Sequence, residues 1–466
     1  MTFRVAIIGG GPSGCAAAVA LCAAAESVHS PIELTVFEKQ YIYKGRALNT
    51  GDPLLLLNTS AGVSSIRGDN EDDFVSFLAL RRPVDKADFA SRTEAVAYIR
   101  QTMSSLDNRF SKIRVVLSEV QGIDKLSELN VGVRTEGSRY IFDAVVLAMG
   151  TPFKNLESTS SIPCISPYPV RQLVDVENNK SILIIGSHLS AIDVCVWLSL
   201  KRHQGPITIL SRSGRLPAVR RSLLHSDAGN EAMCYFKSLA AQQGLNRLQC
   251  LGSVLVQKGG ESIGRALKHR STGFRNGAEE FNVAWQESEL GPTPWECLMM
   301  STIDTLNEEW PLTSADDREN FQKEIGIQLG RYISSMPLRN AQILAKMLDS
   351  GQLTLSSGGL DHAGIPFFVH GFCRTSPKHF DLIINATGMG RPVDDPFVAN
   401  LASKNLVSIN IDGGININPV TCKASSNLPI YALGPVVQGA IYTPNFLYSS
   451  VRSAQNLRNI IPKFTS

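Results

Sequence analysis

The sequence predicts an α/β molecule in which two units, each built on a parallel sheet, share one chain. Three observations point that way. The chain opens with a strand-like run at residues 4–8, a glycine-rich turn and an Ala-rich helix, and a second strand-like run follows at 32–38. The same order restarts at residue 181, where a strand-like run to 185 enters another turn and helix and is followed by a strand-like run at 206–212. The 466 residues also exceed what one hydrophobic core usually organises.

Taken in order, residues 4–38 read as a βαβ unit, and β-like runs at 113–117, 131–135 and 144–150 are expected to complete its sheet. Residues 181–212 form the second βαβ unit. From about 214 to 345 the pattern is polar and mostly helical, with 258–276 read as loop. Further strands are expected at 380–388 and 430–434, before a final helix, and these would rejoin the first sheet. The expected division is 1–170 for the N-terminal part of the first domain, 171–345 for an inserted second domain with its helical segment, and 346–466 for the return of the first.

Composition narrows the function. With 43% apolar and 19% charged residues the chain is an ordinary globular one, and a net charge of +3 without a basic block gives no case for nucleic acid. Nine Cys without a C-x-x-C pair or Cys/His ligand spacing indicate reduced thiols and no metal site. No leader precedes the first strand, so a cytoplasmic location is expected. The apolar stretch at 15–25 is too short to span a membrane and reads as a buried helix. A small-molecule substrate is expected; assembly into a homo-oligomer is left open.

Gly9, Gly11 and Gly14 have G-x-G-x-x-G spacing, and Glu38 ends the following strand. Such a turn lets a pyrophosphate approach the backbone at a helix N-terminus, through Gly9, Gly11, Pro12, Ser13 and Gly14, while the acid receives the ribose hydroxyls. A glycine turn without a nucleotide is the bland alternative, and the strand, helix and acid around this one argue against it. The second turn, Gly186-Ser187-His188-Leu189-Ser190, has His188 at the middle glycine position. An imidazole there either hydrogen-bonds a phosphate or fills the space a pyrophosphate needs. Ser211 and Arg212 follow the next strand, where a 2′-phosphate would be read, and favour NADPH over a degenerate structural repeat. The fold class is then two Rossmann-like dinucleotide-binding domains, the first discontinuous and the NADP-like one inserted.

With those residues assembled, the chain resembles the FAD/NAD(P)-binding oxidoreductases related to class B, N-hydroxylating flavin monooxygenases. The similarity extends over nearly the whole chain. It is carried by Gly9-Gly10-Gly11-Pro12-Ser13-Gly14, by Gly45-Arg46-Ala47-Leu48-Asn49-Thr50-Gly51-Asp52-Pro53 and by Leu56-Leu57-Asn58-Thr59-Ser60-Ala61. Ala148-Met149-Gly150 and Asn385-Ala386-Thr387-Gly388 are similar to the family's two interdomain strands, and Leu433-Gly434-Pro435 to its C-terminal flavin segment. Pro435 stands where many relatives have an Asp, so that ribityl contact is not expected. The resemblance implies FAD held through Glu38, Lys39, Arg46, Gly150, Gly388 and the Gly434 backbone, with Asn58 and Ser60 near the isoalloxazine ring. As isolated residues, Asn58 and Ser60 read equally well as turn formers.

The chemistry so implied is hydride transfer from NADPH to FAD and reaction with oxygen to a flavin hydroperoxide, which a small amine or amino acid attacks. The cofactor supplies the reactivity, so no catalytic protein nucleophile is required and no catalytic residue is assigned. His225 and Asp227 are close in sequence and could serve in proton transfer, but a solvated loop is the commoner explanation of such a pair. Trp310 and Phe321 have the helical spacing of packing residues. Two alternatives stay open: a flavin dehydrogenase or reductase that transfers no oxygen, and a nucleotide-binding partner protein with a decayed second site.

Overall fold

A computed structural model describes residues 2–50, 52–154, 162–242, 246–269, 274–361, 366–370, 373–375, 380–425 and 427–462. Within 1–180, β1 (Phe3–Ile8), α1 (Pro12–Ser27) and β2 (Ile32–Phe37) are followed by α2 (Gly45–Leu48), α3 (Asp73–Ala79) and α4 (Arg92–Ser104). Five strands come next: β3 (Ser111–Val116), β4 (Val120–Lys125), β5 (Val131–Thr135), β6 (Ser138–Phe142) and β7 (Ala144–Leu147). The short β8 is Cys164–Ile165. The second motif is β9 (Ile182–Ile185), α5 (Leu189–Leu200) and β10 (Ile207–Ser211).

A helical segment follows, entered by β11 (Val219–Arg220) and left by β12 (Met336–Pro337). Between them lie α6 (Asp227–Ala240), α7 (Arg247–Lys258), α8 (Glu261–His269), α9 (Gly277–Leu290), α10 (Pro294–Glu309), α11 (Ala315–Phe321) and α12 (Ile327–Ile333). The chain returns through α13 (Leu338–Asp349), β13 (Leu353–Leu360), β14 (Pro366–His370), β15 (Cys373–Thr375) and β16 (Leu382–Asn385). It then runs through α14 (Pro396–Ser403), β17 (Ile430–Ala432) and α15 (Leu447–Asn456).

The first sheet has the order β17-β7-β1-β2-β3 and is parallel throughout. Parallel sheets are covered on both faces, which is why Val5, Ala6 and Ile7 are consecutive, apolar and fully buried. The Ala-rich α1 packs on one face with α15, and its small side chains let it sit close to the strands. The second sheet has the order β15-β14-β13-β10-β9-β16-β8, parallel except for the antiparallel β14 and β15. The α6–α12 segment has its own apolar core, which includes Trp310 and Phe321 as packing residues.

Three expectations are corrected. The 131–135 run is not in the first sheet: β5 is the centre of a separate antiparallel sheet, β4-β5-β6. The 380–388 run does not rejoin the first sheet either, because β16 pairs in parallel with β9 and β8; β17 alone returns. The first unit therefore resumes after β16, and not at residue 346. Finally, 258–276 is not all loop, because Glu261–His269 is the helix α8; residues 270–273 lie outside the described set. No described helix is long and apolar enough to cross a membrane.

Candidate active site

The turn after β1 is shaped by two glycines that admit no side chain. Gly9 has φ +104°, and a Cβ on it would lie 2.7 Å from the Ala148 carbonyl oxygen on the segment leaving β7. A Cβ on Gly14 would lie 1.9 Å from the Gly9 oxygen, so α1 starts directly against the turn. Gly11 differs. Its φ of −74° is open to any residue, and an added Cβ would meet nothing nearer than Gly45 Cα at 3.4 Å, so its missing side chain supplies room. Gly11 is the N-cap of α1 and no side chain caps it, while Pro12 removes one of the amide donors a cap would serve. The free amides and the positive end of the helix dipole make an anion site.

A cavity of about 600 Å³ opens at this turn. Gly9, Gly11, Pro12 and Ser13 line it, as do Glu38, Lys39, Arg46 and Asn58. So do Gly150, Ser190, Gly388 and Pro435. Glu38 stiffens the turn as well as facing the cavity: its Oε2 accepts from the Gly10 amide at 2.9 Å and its Oε1 from the Gln40 amide at 2.9 Å. Lys39 is paired with Glu119 at 2.7 Å, and Arg46 donates to the Thr151 carbonyl at 3.3 Å.

The other expected residues are outside this lining. Gly14 and Gly434 are packing positions; a Cβ on Gly434 would meet Ser13 Oγ at 2.5 Å. Ser60 is buried, donating to the Ala87 carbonyl at 3.0 Å and accepting from the Leu223 amide at 2.9 Å, which makes it a brace between the first unit and the helical segment. His225 and Asp227 do not line the cavity. His225 bonds Asp304 at 2.8 Å, and Asp227 begins α6 behind the Ser226 N-cap.

The second turn repeats the first in outline. Gly186 has φ +105°, and a Cβ there would lie 2.3 Å from the Ala386 oxygen, as Gly9 relates to Ala148. His188 is the N-cap of α5 with φ −85° and ψ −168°, close to the −74° and −175° of Gly11, so the imidazole imposes no backbone strain. The ring is exposed, yet surrounding protein pushes its pKa below the usual histidine value, helped by Arg331 and Arg212. Ser187 is buried. Ser211 accepts from the Gly214 amide at 3.0 Å, and Arg212 is exposed near the end of β10. The cavity reaches this turn through Leu189, Ser190 and Gly388 rather than through Gly186, Ser187 or His188.

Four cavity or near-cavity residues escaped the sequence reading. Arg92 and Tyr168 line the cavity, and both bond the carboxylate of Asp193 on α5, Arg92 at 2.5 Å. The Arg92 and Asp193 side chains are 5% and 1% exposed. A signal existed: Asp193 is a lone acid inside an otherwise apolar helical run, and a buried carboxylate requires a partner. Arg220 also lines the cavity and donates to the Asn58 carbonyl at 2.6 Å. Nothing in the Arg220-Arg221 pair indicates which of the two is buried.

Comparison with known proteins agrees with this geometry. Residues 6–152 match a family model described as FAD-NAD(P)-binding. No curated protein sequence matches the chain. Among solved structures, ornithine N-hydroxylase of Kutzneria sp. 744 superposes with TM-score 0.58 at 13% identity, all of both chains being covered. Ornithine hydroxylase of Pseudomonas aeruginosa gives 0.58 at 14%, and bacillithiol disulfide reductase of Bacillus cereus 0.51 at 15%, each with 99% of both chains covered. At such identities the likeness is one of fold. Residues 6–152 thus match an FAD-NAD(P)-binding family model, and the chain as a whole shares the fold of these solved structures.

Proposed function

We propose that the chain is an FAD-dependent, NADPH-using monooxygenase that acts on a small nucleophilic substrate, an amine or amino acid, in the cytoplasm. The observation that carries this reading is that the N-terminal ends of α1 and α5 open on one cavity. Two nucleotides seated on those two turns would bring their reactive rings into the same space. The room left by Gly11 and the uncapped start of α1 suit the FAD pyrophosphate, with Glu38 turned to the ribose and Asn58 toward the ring. Ser190 and His188 are the candidate contacts for NADPH, with Arg212 for its 2′-phosphate. FAD, when bound, supplies the electron transfer and the reaction with oxygen.

Support for oxygen transfer comes from the resemblance to class B flavin monooxygenases. It also comes from fold matches to enzymes named for ornithine and L-lysine, and to a cadaverine monooxygenase. The test is anaerobic mixing of FAD-loaded protein with NADPH, then addition of ¹⁸O-labelled oxygen with L-ornithine, L-lysine or cadaverine. Bleaching of the flavin followed by labelled product is the expected result. A flavin that NADPH leaves oxidised would exclude the reading, and rapid bleaching with only unlabelled products would favour a reductase.

A further inference from the structure

Arg220 has no role in the account above, although it forms part of the cavity wall. It comes from β11, at the entry to the helical segment, so it belongs to neither nucleotide turn. The residue is 1% exposed. Its Nη2 is used by the Asn58 carbonyl at 2.6 Å, but Nε and Nη1, themselves buried, have no hydrogen-bond partner among the described residues. The nearby acid, Glu296, is already engaged: its Oε2 accepts from the Arg221 amide at 2.7 Å and its Oε1 from the Thr293 amide at 3.0 Å. Burial pushes the Arg220 guanidinium down to about 9, against the pull of Glu296, which still leaves it a cation at neutral pH.

A buried cation with idle donors is costly to hold unless an anion arrives to meet it. Each guanidinium nitrogen is a donor only, so the missing partner has to be an acceptor, and an anionic oxygen satisfies charge and hydrogen bonding together. Neutral groups would supply half of that. We propose that Arg220 is the specificity-determining residue of the cavity and receives a carboxylate on the small-molecule substrate. This rests on the reading that the cavity takes a small substrate, and it favours carboxylate-bearing amines over simple diamines.

The test needs neither NADPH nor oxygen. FAD-loaded protein is titrated, at constant ionic strength, with acetate and butyrate and with the neutral acetamide and butyramide. Flavin absorbance and the unfolding temperature are followed. The expected result is saturable binding of the carboxylates and not of the amides. Arg220→Met should weaken carboxylate binding at least about tenfold, with Arg220→Lys between the two. Equal responses to acids and amides, or undiminished carboxylate binding in Arg220→Met, would overturn the proposal. Loss of FAD from both variants would also overturn it, by assigning Arg220 to the prosthetic group. Because no turnover is involved, failure of NADPH to reduce the flavin leaves this result intact, and failure of the titration leaves flavin reduction unaffected.

Discussion

Gly9 and Gly11 are two letters of one motif with different physical duties, and substitution separates them. An alanine at position 9 meets a left-handed φ of +104° and a carbonyl oxygen 2.7 Å away, so Gly9→Ala disturbs the turn itself. Purified Gly9→Ala should carry little flavin and unfold earlier, with the left-handed backbone alone costing about 1–2 kcal/mol. Gly11→Ala should keep its stability to within about 0.5 kcal/mol, because φ is ordinary and the added methyl meets only ordinary contacts. Its flavin-to-protein absorbance ratio should still fall; a Gly11→Ala protein with full flavin would remove Gly11 from the site. His225 makes a pH prediction. Its hydrogen bond to Asp304 raises its pKa above 6.5, so the protonated pair contributes stability fully below pH 6.5 and loses it as pH rises through the raised value. The ring is more than a third exposed, so the effect should stay below about 1 kcal/mol. His225→Asn should flatten the dependence of unfolding temperature on pH in that window, and an unchanged profile would show that the pair contributes nothing.

Between elements, the Arg92–Asp193 pair ties the first turn of α4 to α5, and so fixes the helix that starts at the second glycine turn against the first unit. Tyr168 bonds the same carboxylate oxygen, while Asp193 Oδ1 has no partner among the described residues. Breaking a buried pair leaves one charge uncompensated, which typically costs about 3–5 kcal/mol, whereas replacing both partners by apolar residues costs far less. Asp193→Ala should therefore lower the urea midpoint sharply, and Arg92→Leu/Asp193→Leu should recover most of the loss. Additive losses in the double variant would argue against direct coupling. The start of α4 was open to local reading, since Ser91 and Glu94 form a capping box; that Arg92 turns inward was not. Helices α1 and α5 were both legible from their apolar runs. α8 was missed because a short polar stretch with two adjacent glycines, Gly259 and Gly260, reads as loop when its packing partners are unknown.

At the scale of the molecule, the sequence announced two parallel-sheet units but misplaced two strand runs, 131–135 and 380–388. Leu382-Ile383-Ile384 is a continuous apolar run, which says that a strand is buried on both faces and nothing about its neighbours. The deciding contact is the close approach of Gly186 to Ala386, a long-range match that repeats Gly9 against Ala148. The same lack of long-range information hid Arg220, whose burial depends on a helical segment folding back over Asn58. Both units and that segment meet around the cavity, which is lined by residues from β1 to α15 and includes Ser334 after α12. A cofactor seated there would bind the assembled molecule and not its separated parts, so its removal should loosen the assembly as a whole. Mass action sets the scale: free FAD at a hundred times its dissociation constant stabilises the native state by about 2.7 kcal/mol. Protein stripped of flavin should unfold at a lower temperature and regain the original midpoint as FAD is returned. Trypsin should cut the stripped form faster at the exposed Lys154, in the crossing from β7 to β8, and at the exposed Lys404, in the crossing from β16 to β17, than within either sheet. If the stripped and loaded forms share one unfolding temperature and one cleavage pattern, the cavity is not where the flavin joins the two units.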